Sequence, residues 1–134
     1  MERRSLEYIR SLPTDSPILQ EKQPPEPRAV ELGLYRPAVI ALIEGRSTMV
    51  WGRETVATAV RVGLESVEVR ELREVTPEQA AEAALLSEDR PGAYALSELV
   101  VLLEWLGRRG GEPTEAIRAL VDGKKRGLLS QAEQ

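Results

Sequence analysis

Cysteine, histidine and phenylalanine are absent from the 134 residues, and asparagine is absent with them. Without cysteine there is neither a disulfide framework nor a thiolate nucleophile. Without histidine the usual structural zinc sites and the Ser-His and Cys-His catalytic pairs are excluded as well. Any acid/base chemistry would rest on Glu, Asp, Lys, Ser or Tyr, and no pair of carboxylates is spaced so as to announce it. Long apolar runs are missing too: the longest, 38–43 and 99–103, fall far short of the ~20 residues of a membrane span. Met1 is followed by Glu2, Arg3 and Arg4 rather than by an apolar stretch, so no secretory signal is expected and a cytoplasmic location is.

Positive charge is also in deficit, with a formal net charge of -4. That balance argues against a surface devoted to nucleic acid, whose binding is driven by phosphate neutralisation. It leaves room for a local DNA-contacting patch at Arg108-Arg109 and Lys124-Lys125-Arg126, where ordinary complementation of helix C-termini is the competing reading. Arginine far outnumbers lysine and prolines are frequent, a composition expected of a thermophilic source. The length suits one domain, able to bury roughly 65–70% of its unfolded surface.

Along the chain, prolines at 13, 17, 24, 25 and 27 forbid a long helix and mark residues 1–28 as an arm, with a short edge strand over 5–9 and a linker over 23–28. The apolar, β-branched run 38–43 reads as a strand buried on both faces, and 48–51 as its hairpin partner across the turn at Glu44-Gly45-Arg46-Ser47. From Glu54 the period becomes helical, to a cap at Gly63, and 66–72 alternates as a half-exposed strand. Thr76-Pro77-Glu78-Gln79 is a capping box with proline at the first helical position, opening a helix to about Leu86. A second helix is predicted over 94–106, ended by Gly107, and a last one over 113–122, ended by Gly123, with 130–134 fraying. The outcome is an α/β (α+β) fold: a small mixed sheet built around a strand-Gly-helix-strand core and flanked by helices. The organisation is an arm at 1–28, an α/β domain at 29–107 and a C-terminal helix with a basic tail at 108–134.

Several segments within that outline resemble a known family. Gly33-Leu34-Tyr35-Arg36-Pro37-Ala38-Val39-Ile40, the gap-free stretch from Trp51-Gly52 to Gly63-Leu64, and the helix 76–86 are together similar to the N-terminal domain of ParB partition proteins, the ParB/sulfiredoxin-like group. The resemblance covers about residues 29–106. It implies a domain that binds CTP with magnesium, the arginines of a glycine-glutamate-arginine-arginine motif holding phosphates, with nucleotide state closing a dimer clamp on DNA. The sulfiredoxin reaction is excluded, because it needs a cysteine.

The motif residues are largely replaced. Gly52 matches the family glycine, but Arg53 stands at the glutamate and Glu54 and Thr55 stand at the two arginines. Losing two charge-assisted phosphate contacts would cost several kcal/mol, at roughly 1.5–3 each. The glutamate-asparagine pair falls on Ser87 and Glu88, and the motif arginine on Pro91, with Arg90 just before it. Candidate nucleotide contacts are therefore Gly52, Arg53, Glu54, Thr55 and Arg90, and the candidate magnesium ligand is Glu88.

The leading expectation is a nucleotide- or anion-binding regulatory or DNA-maintenance accessory module without efficient catalysis. It competes with a magnesium-dependent nucleotide hydrolase or nuclease using Arg53, Glu54 and Glu88, and with a purely structural interaction domain whose old pocket is filled. A homodimer or protein partner is expected through Val101, Leu102 and Trp105, the apolar excess of the 94–106 helix. The chain after Gly107 suffices for one helix and a tail, less than the helix-turn-helix that follows this domain in partition proteins.

Overall fold

A computed structural model describes residues 2–13, 21–88 and 91–132. About half of the chain is helical and about 22% is strand. Strand β1 (Glu2–Ser5) leads into α1 (Leu6–Arg10), and α2 (Pro27–Glu31) precedes β2 (Ala38–Ile43) and β3 (Arg46–Trp51). Helix α3 (Arg53–Arg61), β4 (Ser66–Val75), α4 (Pro77–Leu86), α5 (Leu96–Arg108) and α6 (Glu115–Ala132) follow, with one 3-10 turn at Pro91–Ala93. The sheet order is β1-β4-β2-β3. Strands β2 and β4 run parallel, joined by the β3–α3 crossover, and the two outer pairings are antiparallel.

The alternation of β2 explains its unbroken apolar sequence. Ala38 and Ile40 face one core with Leu6, Ile9, Val30, Val56 and Val69, under α1, α2 and α3. Val39, Ala41 and Ile43 face the other, with Trp51, Leu85, Leu99, Leu102 and Trp105, under α4, α5 and α6. A strand covered by helices on both sides has no polar face to offer.

Glu44 and Gly45 close the β2–β3 hairpin at φ 51° and 78°, as a two-residue turn with left-handed central positions requires. At the other end of β3, Gly52 turns the chain into α3 with φ 106°. A Cβ there would lie 2.8 Å from Ala38 Cα, so the position demands glycine for its dihedral and for its space. Helix α4 starts as its capping box dictates: the Gln79 amide donates to Thr76 Oγ1 at 3.1 Å, and the Thr76 amide to Gln79 Oε1 at 2.9 Å.

Four expectations are corrected. Residues 5–9 are not a strand: the strand lies over Glu2–Ser5, and Ser5 caps α1 by accepting from the Tyr8 amide at 3.1 Å. The expected linker 23–28 runs into α2, opened by Pro27 at a first-turn position. Helix α5 passes through Gly107 to Arg108, and Gly110, just beyond its C-cap Arg109, takes φ 70°. Helix α6 passes through Gly123 and Gly127, since glycine ends a helix only where it takes the left-handed conformation, and neither does.

The two demands on Gly52 set a test. Gly52→Ala is expected to lose about 2–4 kcal/mol in urea denaturation, through positive-φ strain and the clash with Ala38. Gly107→Ala, in a helix with nothing within 4 Å of the new methyl, is expected to be neutral or to gain up to about 1 kcal/mol.

Candidate functional site

Helix α3 begins at Gly52, which has no side chain to cap it. Its free amides point instead at a carboxylate from far upstream. The Thr55 amide donates to Glu21 Oε1 and the Thr55 hydroxyl to Glu21 Oε2, each at 3.0 Å, and the Glu54 amide adds a further bond. Glu21 and Thr55 are both buried, at 4% and 1% exposure. A carboxylate on the first-turn amides is what the helix dipole favours, and here the protein supplies it from within.

The neighbouring residue extends the contact to the opposite lip. The Lys22 amide donates to Glu88 Oε1 at 2.9 Å, and the Trp51 indole donates to the same oxygen at 3.3 Å. The Lys22 ammonium pairs with Glu98 and lies 5.1 Å from the Tyr94 ring centre. Arg36 donates to the Ser87 carbonyl. Residues 21 and 22 thus join the start of α3 to the α4–α5 connection. Between these lips lies a cavity of about 180 Å³, lined by Glu21, Gln23, Tyr35, Arg36, Trp51, Thr55 and Glu88 among others.

The charges respond to this packing. Burial pushes the Glu21 carboxyl above the usual range, against the downward pull of the Thr55 and Glu54 hydrogen bonds, and the nearby Glu54 charge adds to the rise. Burial also raises the Tyr94 phenol, with the Glu88 charge acting the same way. At Glu98 burial works upward but is outweighed by the Lys22 ammonium and the Ala95 amide, so this carboxyl sits below the usual range.

The residues expected from sequence divide. Thr55 and Glu88 reach the cavity. Gly52 forms the turn, where it packs on Ala38, and Glu54 is half-exposed. Arg53 is exposed and lines a different groove, of about 370 Å³, between α1 and α3 with Arg10, Met49 and Val60. Arg53 and Glu88 therefore do not meet at one cavity, and Arg90 lies outside the described residues. Glu88 accepts two hydrogen bonds on one oxygen, and no group of three or more Asp or Glu among the described residues is placed to hold a metal ion. On α5, Leu102 and Trp105 are core residues at 1% and 2% exposure, so of the three residues expected at a partner face Val101 alone stands out, at 57%.

Glu21, Lys22 and Arg36 were not legible as site residues. Glu21 and Lys22 sit in a proline-rich stretch with no helical or strand period, and nothing local connects them to Thr55 or Glu98. Arg36 carried a weak signal, as the charged residue inside the segment leading to β2. Comparison of the chain with protein-family models, with curated proteins and with solved structures returns no match.

The raised Glu21 carboxyl gives a pH test. A group whose folded pKa is raised contributes its full stability below the ordinary value, and loses it as pH rises through the folded value. Glu21→Gln should therefore gain stability relative to the wild type as pH rises above the ordinary glutamate range, in thermal or urea unfolding. A difference that is flat or declines with pH would show the ionised carboxylate to be welcome on the α3 amides. Glu98, held below the usual range, acts in the lower window, where its stabilisation is lost as pH falls.

Proposed function

We propose that this chain is a non-catalytic, ParB-like accessory module in which Glu21 occupies the position a phosphate would take at the start of α3. The observation that carries this reading is the pair of 3.0 Å contacts from Thr55 to a carboxylate that is itself buried. An incoming anion would have to displace Glu21 and would meet the Glu88 carboxylate across the same cavity. Glu54, where the family has its first arginine, adds repulsion. The dipeptide Glu21-Lys22 holds the two lips together without a ligand, which in a nucleotide-dependent clamp is the task of the nucleotide.

Such a module acts through protein contacts rather than turnover. The resemblance of residues 29–106 to the partition-protein domain supports a DNA-maintenance setting, with a homodimer or protein partner as the means of action. The apolar surface that α5 offers to such a partner is Val100 and Val101, at 40% and 57% exposure. The hydrolase or nuclease reading is less well supported, because Arg53, Glu54 and Glu88 do not converge on one cavity.

Isothermal titration with CTP and ATP in the presence of magnesium tests the proposal. The wild type is expected to show no binding below millimolar nucleotide. Glu21→Ala, which removes the internal carboxylate from the helix start, is expected to bind phosphate-bearing ligands at least about tenfold more tightly than the wild type, the equivalent of one charge-assisted contact. Submillimolar binding of nucleotide by the wild type would end the proposal.

A further inference from the structure

The groove between α1 and α3 differs in chemistry from the cavity at Glu21. Ile9 and Leu12 line it from the α1 side, Val56 and Val60 from α3, and Met49 from β3. Ile9, Met49 and Val56 belong to the buried core while Val60 is 38% exposed, so this is a place where the core reaches the surface. Its volume of about 370 Å³ lies within the range of small-molecule pockets, which begins at roughly 300 Å³. Two cations, Arg10 and Arg53, complete the wall, and no Asp or Glu among the described residues lines it. Both arginines are exposed, and neither guanidinium makes a hydrogen bond, ion pair or ring contact with a described residue. Arg53 is moreover the first residue of α3, where the helix dipole disfavours a positive charge. An apolar groove thus carries two uncompensated guanidiniums and nothing of opposite sign.

We infer that this groove is a binding site for a small apolar carboxylate, with its hydrocarbon body on Ile9, Met49, Val56 and Val60 and its head on the Arg10 and Arg53 guanidiniums. The apolar wall selects hydrocarbon through the area removed from water, and the planar guanidinium forks select an oxyanion. A singly charged carboxylate costs less to desolvate beside hydrocarbon than a doubly charged phosphate does, which favours the carboxylate as the head. Among the described residues the groove shares no lining residue with the Glu21 cavity, so this assignment is independent of the reading of that site.

Met49 is one of two methionines, and its methyl group reports from the wall of the groove. In protein labelled with 13C at the methionine methyls, octanoate is expected to shift the Met49 signal saturably. Octylammonium, with the same chain and the opposite charge, should bind at least about tenfold more weakly, and acetate, with the head alone, should give no saturable shift. Arg10→Gln and Arg53→Gln, each at an exposed side chain and so without unfolding the protein, should weaken octanoate about tenfold while leaving the affinity for octanol unchanged. The assignment is overturned if octanoate gives no saturable shift at Met49, or if octylammonium or acetate binds as tightly as octanoate. An unchanged octanoate affinity in either arginine variant overturns it as well.

Discussion

The packing of Gly52 on Ala38 governs the geometry from which the rest follows. Only there does the end of β3 approach the start of β2 closely enough for α3 to begin over the sheet, with its first-turn amides directed back across the strand ends. A side chain at this position would push the helix away from β2 and take the amides out of reach of Glu21. The same close approach lets the chain cross from β3 through α3 to β4, parallel to β2, which places the strongly apolar β2 in the interior of the sheet.

From that turn the molecule builds outward in two layers. The layer on α1, α2 and α3 is made mostly of small and branched side chains with Met49, and the layer on α4, α5 and α6 carries the two tryptophans and Tyr94. The two tryptophans lie towards opposite ends of β3: the Trp51 indole N–H bonds to Glu88, and the Trp105 ring carries the Arg109 guanidinium 4.7 Å from its centre.

Much of this was legible where local chemistry and tertiary structure agree. The capping box at Thr76, the doubly buried run 38–43 and the glycine before α3 announced themselves because their sequence pattern and their environment ask for the same thing. The fold class follows from those three elements. Helix ends were less legible: Gly107 and Gly123 read as stops, but a glycine costs a helix only about 1 kcal/mol, which favourable neighbours and packing overcome. Trp105 and Leu102 looked like surplus apolar surface because the sheet residues packed with them, Val39, Ala41 and Ile43, lie far away in sequence. Glu21 was beyond reach for the same reason, as its partners are 34 residues downstream.

The seating of the N-terminal residues bears on how the molecule assembles. Arg4 meets Glu71, the Leu6 amide meets the Glu65 carbonyl, and Lys22 meets Glu98, so each of these partners is more than fifty residues away along the chain. Contacts of such long range are made late, after the entropy of closing the intervening loops has been overcome. Residues 2–13 with Glu21 and Lys22 then resemble a latch thrown over a finished box: the hairpin, α3 and the α4–α5 connection have to be standing before Glu21 and Lys22 have anywhere to go. Release of that latch would be an opening smaller than global unfolding, one that uncovers the α3 amides while leaving β2, β3 and β4 zipped together.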